Sequence, residues 1–176
     1  MSRTPDLETD RLRLRKRVPD DAIPLFPTMS DPDVMHWWSR PPYASVEDGI
    51  EDFSRFSDPW RSWAILDKRD DAVIGFVAAG EKRQGKVVEI GYLLAKSHWG
   101  GGFAREAVRA VIDQLFAEGN RRVFADTDPE NTGSRRLLES LGFQLEGTLR
   151  GEWETHIGVR DSVIYGLLHK DWSGRA

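Results

Sequence analysis

His98-Trp99-Gly100-Gly101-Gly102-Phe103-Ala104-Arg105-Glu106-Ala107 joins an apolar run over residues 87–95 to an amphipathic one. In the latter, Ala104, Val108, Val111, Ile112, Leu115 and Phe116 recur at helical spacing. Three glycines therefore stand at the mouth of a helix. Such a terminus has four backbone N–H groups without internal partners and a partial positive charge, so it draws anions, phosphate above all. Glycine lets the backbone approach the anion closely, because no side chain intervenes. Two familiar phosphate loops fail on spacing. A dinucleotide fingerprint starting at Gly100 would need glycine where Arg105 stands, and a nucleotide P-loop would need Gly-Lys-Ser or Gly-Lys-Thr. A pyrophosphate cradle of another kind remains, or a plain flexible turn.

Upstream, apolar runs at 62–66, 73–79 and 87–95, with Asp70-Asp71 and Gln84-Gly85-Lys86 at the joints, predict an antiparallel meander. Residues 7–17 read as an opening strand. In it Arg11, Arg13, Arg15, Lys16 and Arg17 form a solvated face alternating with Leu12 and Leu14. Pro19, Asp20 and Asp21 open a helix that Pro24 and Pro27 keep short or irregular. A second helix starts at Ser45, capped by that serine, with Glu47 and Asp48 in its first turn and Ile50, Phe53 and Phe56 on one face.

Downstream, the helix after the glycines stops at Gly119-Asn120. A strand occupies 121–125. A helix over 131–141 then presents Leu137, Leu138 and Leu141 and stops at Gly142-Phe143, before strands at 144–153 and 162–168. The order is strand, two helices, three strands, helix, strand, helix, two strands. That is an α/β or α+β chain with a mixed sheet, read as one domain over residues 1–176.

With 39% hydrophobic and 31% charged residues, the chain reads as soluble and globular. It has no cysteine, which excludes a disulfide framework, a thiolate zinc site and a cysteine nucleophile. The formal charge of -4 argues against nucleic acid as the main partner. Residues 1–17 are charged throughout and no segment approaches a membrane span, so the expected place is the cytoplasm, with no membrane partner. The four histidines show no metal-ligand spacing, and no metal is expected.

The blocks EIGYLLAKSHWGGGFAREAVRAVIDQLF and RRVFADTDPENTGSRRLLESLGFQLEGTLR resemble the GNAT superfamily of acyl-CoA-dependent N-acetyltransferases, in particular its ribosomal-protein N-terminal acetyltransferase (RimJ/RimL-like) branch. The resemblance covers residues 7–172. It implies the acyl-CoA N-acyltransferase fold: a mixed, mostly antiparallel sheet of about seven strands flanked by about four helices. It also implies that the strand before the glycines bulges near Leu94 and splays from its neighbour, that pantetheine lies in the gap, and that the loop amides hold the pyrophosphate of coenzyme A. The family pattern Gln/Arg-x-x-Gly-x-Gly/Ala falls on Trp99, Gly100, Gly101, Gly102, Phe103 and Ala104. Trp99 departs from it, although Trp-Gly-x-Gly-aromatic-Ala is usual in this branch. Asn131 and Ser134 match an Asn-x-x-Ser that the family sets beside the pantetheine arm and the sulfur; Asn131 also suits a helix cap.

The implied reaction is direct attack of a primary amine on the acetyl thioester in a ternary complex, with acetyl-CoA as cosubstrate. Amines are largely protonated at neutral pH, so a base is required. The resemblance places Glu89 near the acetyl group, and period 2 puts it on one face with Gly91 and Leu93; the ordinary alternative is a solvent-facing glutamate. Ser134 stands where the branch puts a hydroxyl beside the departing sulfur. Arg135 and Arg136 are candidates for the 3′-phosphate or for plain solvation. Trp37, Trp38, Tyr43 and Trp153, together with Trp60 and Trp63, could line an amine pocket, with core packing as the alternative for each. His36 and His156 are weaker alternative bases. The acceptor is expected to be a peptide N-terminus or a small-molecule amine such as an antibiotic or polyamine, acted on by a monomer or homodimer. A non-catalytic acyl-CoA sensor is the competing class.

Overall fold

The structure is a computed structural model that describes residues 4–55, 58–83 and 85–172; Phe56 and Gln84 lie outside them. Among the described residues eight strands form one sheet in the order β1-β2-β3-β4-β5-β6-β8-β7. They are β1 (Leu7–Glu8), β2 (Leu12–Lys16), β3 (Trp60–Asp67), β4 (Val73–Arg83), β5 (Val87–Leu94), β6 (Arg122–Thr127), β7 (Gln144–Thr155) and β8 (Gly158–Leu168). All neighbours pair antiparallel except β5 and β6. The helices are α1 (Ala22–Met29), α2 (Pro32–Met35), α3 (Val46–Ser54), α4 (Phe103–Ala117), α5 (Thr132–Ser140) and α6 (His169–Trp172).

The count exceeds the seven strands and four helices expected, for local reasons. The single opening strand is a hairpin, because Thr9 turns the chain: its N–H donates to the Leu12 carbonyl at 3.0 Å and its Oγ1 accepts from the Leu12 N–H at 2.9 Å. α2 is one turn, capped by Asp31 with Pro32 at its first position, an Asp-Pro signal visible in the sequence. α6 is another single turn. Ser45 and Asp48 form the reciprocal capping box that opens α3. Both long helices end as expected, at Gly119 and Gly142 with positive φ.

Two apolar clusters lie on opposite faces of the sheet. On one face α4 buries Ala107, Val108, Val111, Ile112, Leu115 and Phe116, and α5 adds Leu138. Each large aliphatic among them contributes about 1.5–3 kcal/mol. On the other face Leu25 and Met29 of α1 and Phe53 of α3 cover Phe76, Ala78 and Leu93. The basic face of the opening segment is not uniformly solvated. Arg17, past the end of β2, is only 9% exposed, its guanidinium lying 3.7 Å and 4.6 Å from the ring centroids of Phe53 and Phe76. That burial lowers its pKa to about 10.

The parallel pair is short. Val87, Val88 and Glu89 of β5 pair with Arg122, Val123 and Phe124 of β6, and there the pairing stops. Beyond Glu89 the two strands part. The β4–β5 register runs unbroken from Gly80↔Glu89 to Gly75↔Leu94, so the bulge expected near Leu94 is absent from that ladder. The splay arises from divergence of β6 rather than from an inserted residue in β5.

Candidate active site

A cleft of about 780 Å³ runs through the gap between β5 and β6. Its lining includes Glu89 and Gly91 from one face of β5 and Ile90 and Tyr92 from the other. A paired sheet would separate those faces; only the splay lets one cavity touch both. The alternation expected for Glu89, Gly91 and Leu93 is present: Leu93 packs in the α1–α3 cluster, Ile90 in the α4–α5 cluster.

On the α1–α3 side, the Glu89 side chain is 14% exposed, with Lys82 Nζ 3.3 Å from its Oε2. Burial first, then the Asp126 carboxylate, raises its pKa above the ordinary value, against the pull of Lys82. Asp126, a residue to which the sequence assigned no role, accepts hydrogen bonds from Trp153 Nε1 at 2.8 Å and Ser162 Oγ at 3.2 Å. Nothing local in "ADTD" marks it; β6 carries it beside Glu89. On the opposite side, Asn131 caps α5 by accepting the Ser134 N–H at 3.2 Å, and Ser134 Oγ lies 2.6 Å from the Tyr92 hydroxyl. Tyr92 likewise carries no signal in its local sequence. Burial pushes its pKa up to about 12.

The glycine loop lies between the end of β5 and the start of α4; Leu94 and residues 99–104 are outside the cleft lining, and Gly102 lines a second cavity with Arg11, Arg105 and Glu106. Gly100 and Gly102 have φ of +76° and +78°, a region that L side chains rarely adopt. Gly102 caps α4 without a side-chain hydrogen bond, so the first-turn N–H groups are not claimed by a cap side chain. A Cβ on Gly100 would meet nothing within 4 Å, so the space above it is open. Trp99 is 49% exposed and donates its indole N–H to the Leu94 carbonyl at 2.9 Å.

Distant segments brace the loop. Arg11 donates Nη1 to the Gly101 carbonyl at 2.9 Å and Nε to Glu106 at 2.7 Å, and its guanidinium lies 4.1 Å from the Phe103 ring centroid. Thr9 Oγ1 donates to the same glutamate. On the other side, Arg69 ion-pairs with Asp67 at 2.6 Å and holds that carboxyl well below the usual range. His98 Nε2 lies 3.4 Å from Asp67, and the His98 ring packs edge-on against Phe103. Ala104 comes next on α4, half-buried against the core.

Of the aromatic candidates, Trp37, Trp38, Tyr43, Trp60 and Trp153 line the cleft. Trp63 does not: it is 0% exposed and donates its indole N–H to the Pro5 carbonyl. Three faces already carry the protein's own cations, Arg160 over Trp37, Arg40 over Tyr43 and Lys82 over Trp60. Tyr43 donates to Asp52 at 2.5 Å. Arg135 is half-buried and donates to the Tyr165 hydroxyl and the Pro129 carbonyl, while Arg136 is exposed. His36 and His156 are exposed and outside the cleft lining. Among the described residues no cluster of three or more His, Cys, Asp or Glu could hold a metal, and no helix is long and apolar enough to cross a membrane.

Residues 11–144 match the acetyltransferase (GNAT) domain family. A Bacillus licheniformis protein named "Uncharacterized N-acetyltransferase p20" is 36% identical over 176 residues, covering 96% of this chain and 98% of that one. A GCN5-related N-acetyltransferase from Brucella melitensis superposes with a TM-score of 0.86 at 25% identity, over 98% of this chain and 82% of that one. The fold is shared with a Vibrio cholerae spermidine N-acetyltransferase crystallised with CoA and spermine, at a TM-score of 0.82 and 22% identity over 94% and 99% of the two chains. With a cleft that opens both faces of β5, a glycine loop following that strand, and these likenesses along its length, the chain belongs to the GNAT acetyltransferase family and is an acetyl-transferring enzyme that uses acetyl-CoA as cosubstrate.

Proposed function

We propose that the chain is a single GNAT domain over residues 1–176, of the RimJ/RimL-like branch, which acetylates a primary amine in the cytoplasm. The acceptor is a peptide N-terminus or a small-molecule amine, and the enzyme works as a monomer or homodimer. The observation that carries this reading is the cleft through the β5–β6 splay, with Glu89 on one side of β5 and Ser134 on the other. Trp99 to Ala104 fit the branch's Trp-Gly-x-Gly-aromatic-Ala.

Acetyl-CoA, when bound, supplies an acyl carbon open to nucleophilic attack and a thiolate leaving group. The backbone of residues 99–104 would hold its pyrophosphate, and Leu94, Asn131 and Ser134 would flank its pantetheine arm. Gly100 suits this, since open space lies where its side chain would stand, and at Gly102 a Cβ would meet Arg11 Nη2 at 3.5 Å, an anion-attracting guanidinium. Glu89 takes the amine proton. Its pKa, raised by burial and Asp126, brings it closer to neutrality and makes it a better base than an exposed carboxylate. The Ala95 N–H bonds to the Ile74 carbonyl on β4, so by strand alternation the N–H groups of Tyr92 and Leu94 face the gap, placed to stabilise an oxyanion. Ser134 offers its hydroxyl to the sulfur. Trp37, Trp38, Tyr43 and Trp153 wall the amine side, with Glu89 and Asp126 nearby to favour a cation.

Thiol release from acetyl-CoA, measured across peptides of different N-termini, polyamines, aminoglycosides and free amino acids, tests the reading. Release should appear with one class of amine and fall at least tenfold in Glu89→Gln with coenzyme A affinity retained. Binding of coenzyme A without release on any amine would favour a sensor; no binding would refute the reading of the glycine loop.

A further inference from the structure

Tyr92 and Ser134 come from different elements and meet where the gap between β5 and β6 is lined by both. Three features give their contact a direction. Asn131 pins the backbone of Ser134 in the first turn of α5, which leaves the serine hydroxyl free to rotate until something fixes it. The contact at 2.6 Å is short for two hydroxyls, and one of them must donate. A phenol is the stronger donor and an aliphatic hydroxyl the better acceptor, and Tyr92, half-buried, keeps its proton throughout the working pH range.

We propose that Tyr92 is a positioning residue for Ser134: its hydroxyl donates to Ser134 Oγ and leaves the serine hydrogen aimed at an acceptor in the cleft. The inference rests on the function proposed for the cleft, in which that acceptor is the sulfur of coenzyme A. No proton leaves Tyr92; it orders a hydrogen bond that Ser134 makes. This accounts for how a weakly acidic serine could serve a departing sulfur. The hydroxyl contributes through orientation, which is lost when it can rotate.

The test compares coenzyme A with desulfo-coenzyme A by calorimetry, in the wild type, Tyr92→Phe, Ser134→Ala and the double variant, alongside kcat. The wild type should bind coenzyme A about threefold more tightly than the desulfo analogue, and both single variants should bring that ratio to about one. Affinity for the desulfo analogue should stay within twofold, which shows that Tyr92→Phe, one oxygen smaller, still folds. Tyr92→Phe should lower kcat about tenfold with KM for acetyl-CoA within twofold, and the double variant should be no slower than Ser134→Ala alone. A ratio that survives in Tyr92→Phe, a wild-type ratio of one, or additive losses in the double variant would overturn the proposal. Loss of desulfo-coenzyme A binding in Tyr92→Phe would also overturn it, assigning the hydroxyl to packing. If the wild type binds neither ligand, the coenzyme reading itself falls, an outcome distinct from the others.

Discussion

The two sides of the cleft are built by different rules. The side proposed for the coenzyme is a strand, a glycine loop and two helices, and each part is dictated by residues close together in the chain: Gly100 and Gly102 by their φ, α5 by Asn131, the helix ends by Gly119 and Gly142. The side proposed for the amine has no such local logic. It is assembled from the segment around α2, from α3, from β6 and from the β7–β8 hairpin, and its aromatic faces are shared with Arg160, Arg40 and Lys82 from the protein itself. Short-range backbone chemistry builds a site for a constant ligand, whereas a site for a variable one is left to side chains that long-range packing brings together.

The sharpest way to break this contrast is through its tryptophans. Trp63→Ala, which empties a fully buried site in the coenzyme-side core, should destabilise the protein by about 3–5 kcal/mol in a denaturant titration. Trp37→Ala should instead leave stability within about 1 kcal/mol and raise KM for the amine. Equal destabilisation by the two would mean that the amine wall is core. Next in size, Glu89→Gln should lower kcat about a hundredfold while coenzyme A affinity stays within twofold, since a positioned base contributes roughly 10²–10⁴-fold. A comparable loss of coenzyme affinity would move Glu89 to the other side of the comparison.

Gly102→Ala forces a side chain into the left-handed region at a cost of about 1–2 kcal/mol, and should weaken coenzyme A binding about tenfold with KM for the amine unchanged. Glu106→Gln, which loosens the hold of Thr9 and Arg11 on the loop, should weaken it about threefold. The smallest effect is on pH. Glu89 must be ionised to accept a proton, so kcat/KM should rise with pH through its pKa, a limb displaced upward from that of an ordinary glutamate by burial and by Asp126. Asp126→Asn removes a negative neighbour, favours the ionised form and should move the limb to lower pH. Lys82→Met removes a positive one and should move it higher. A limb that ignores both substitutions would take Glu89 out of the proton transfer.

Much of the fold is legible in the sequence because hydrophobic period and cap chemistry are local. The meander, α3 from Ser45, α4, α5 and both glycine stops stand where the residues place them. The opening hairpin is hidden because its turn residues, Asp10-Arg11, include neither glycine nor proline, and one of the two hydrogen bonds that close it runs through the Thr9 hydroxyl. Arg17 departs from the solvated face because alternation ends with β2, and aromatic rings from α3 and β4 cover the guanidinium beyond it. Among the candidate site residues, Glu89, Asn131 and Ser134 are readable from motif and period. Asp126 and Tyr92 are not, since each gains meaning only from a neighbour on another element.

Residue order alone specified where the backbone must turn left-handed, which helix faces are apolar, and where a phosphate-sized anion could meet a helix end that has no side-chain cap, because these depend on residues within a few positions of one another. Tertiary packing settled the rest. It stopped the β5–β6 pairing after Glu89, set Asp126 beside that glutamate, brought Tyr92 to Ser134, and carried Arg11 across about ninety positions to the Gly101 carbonyl. Those contacts depend on how sheet and helices stack, and the sequence encodes that stacking only through the summed burial of its apolar faces.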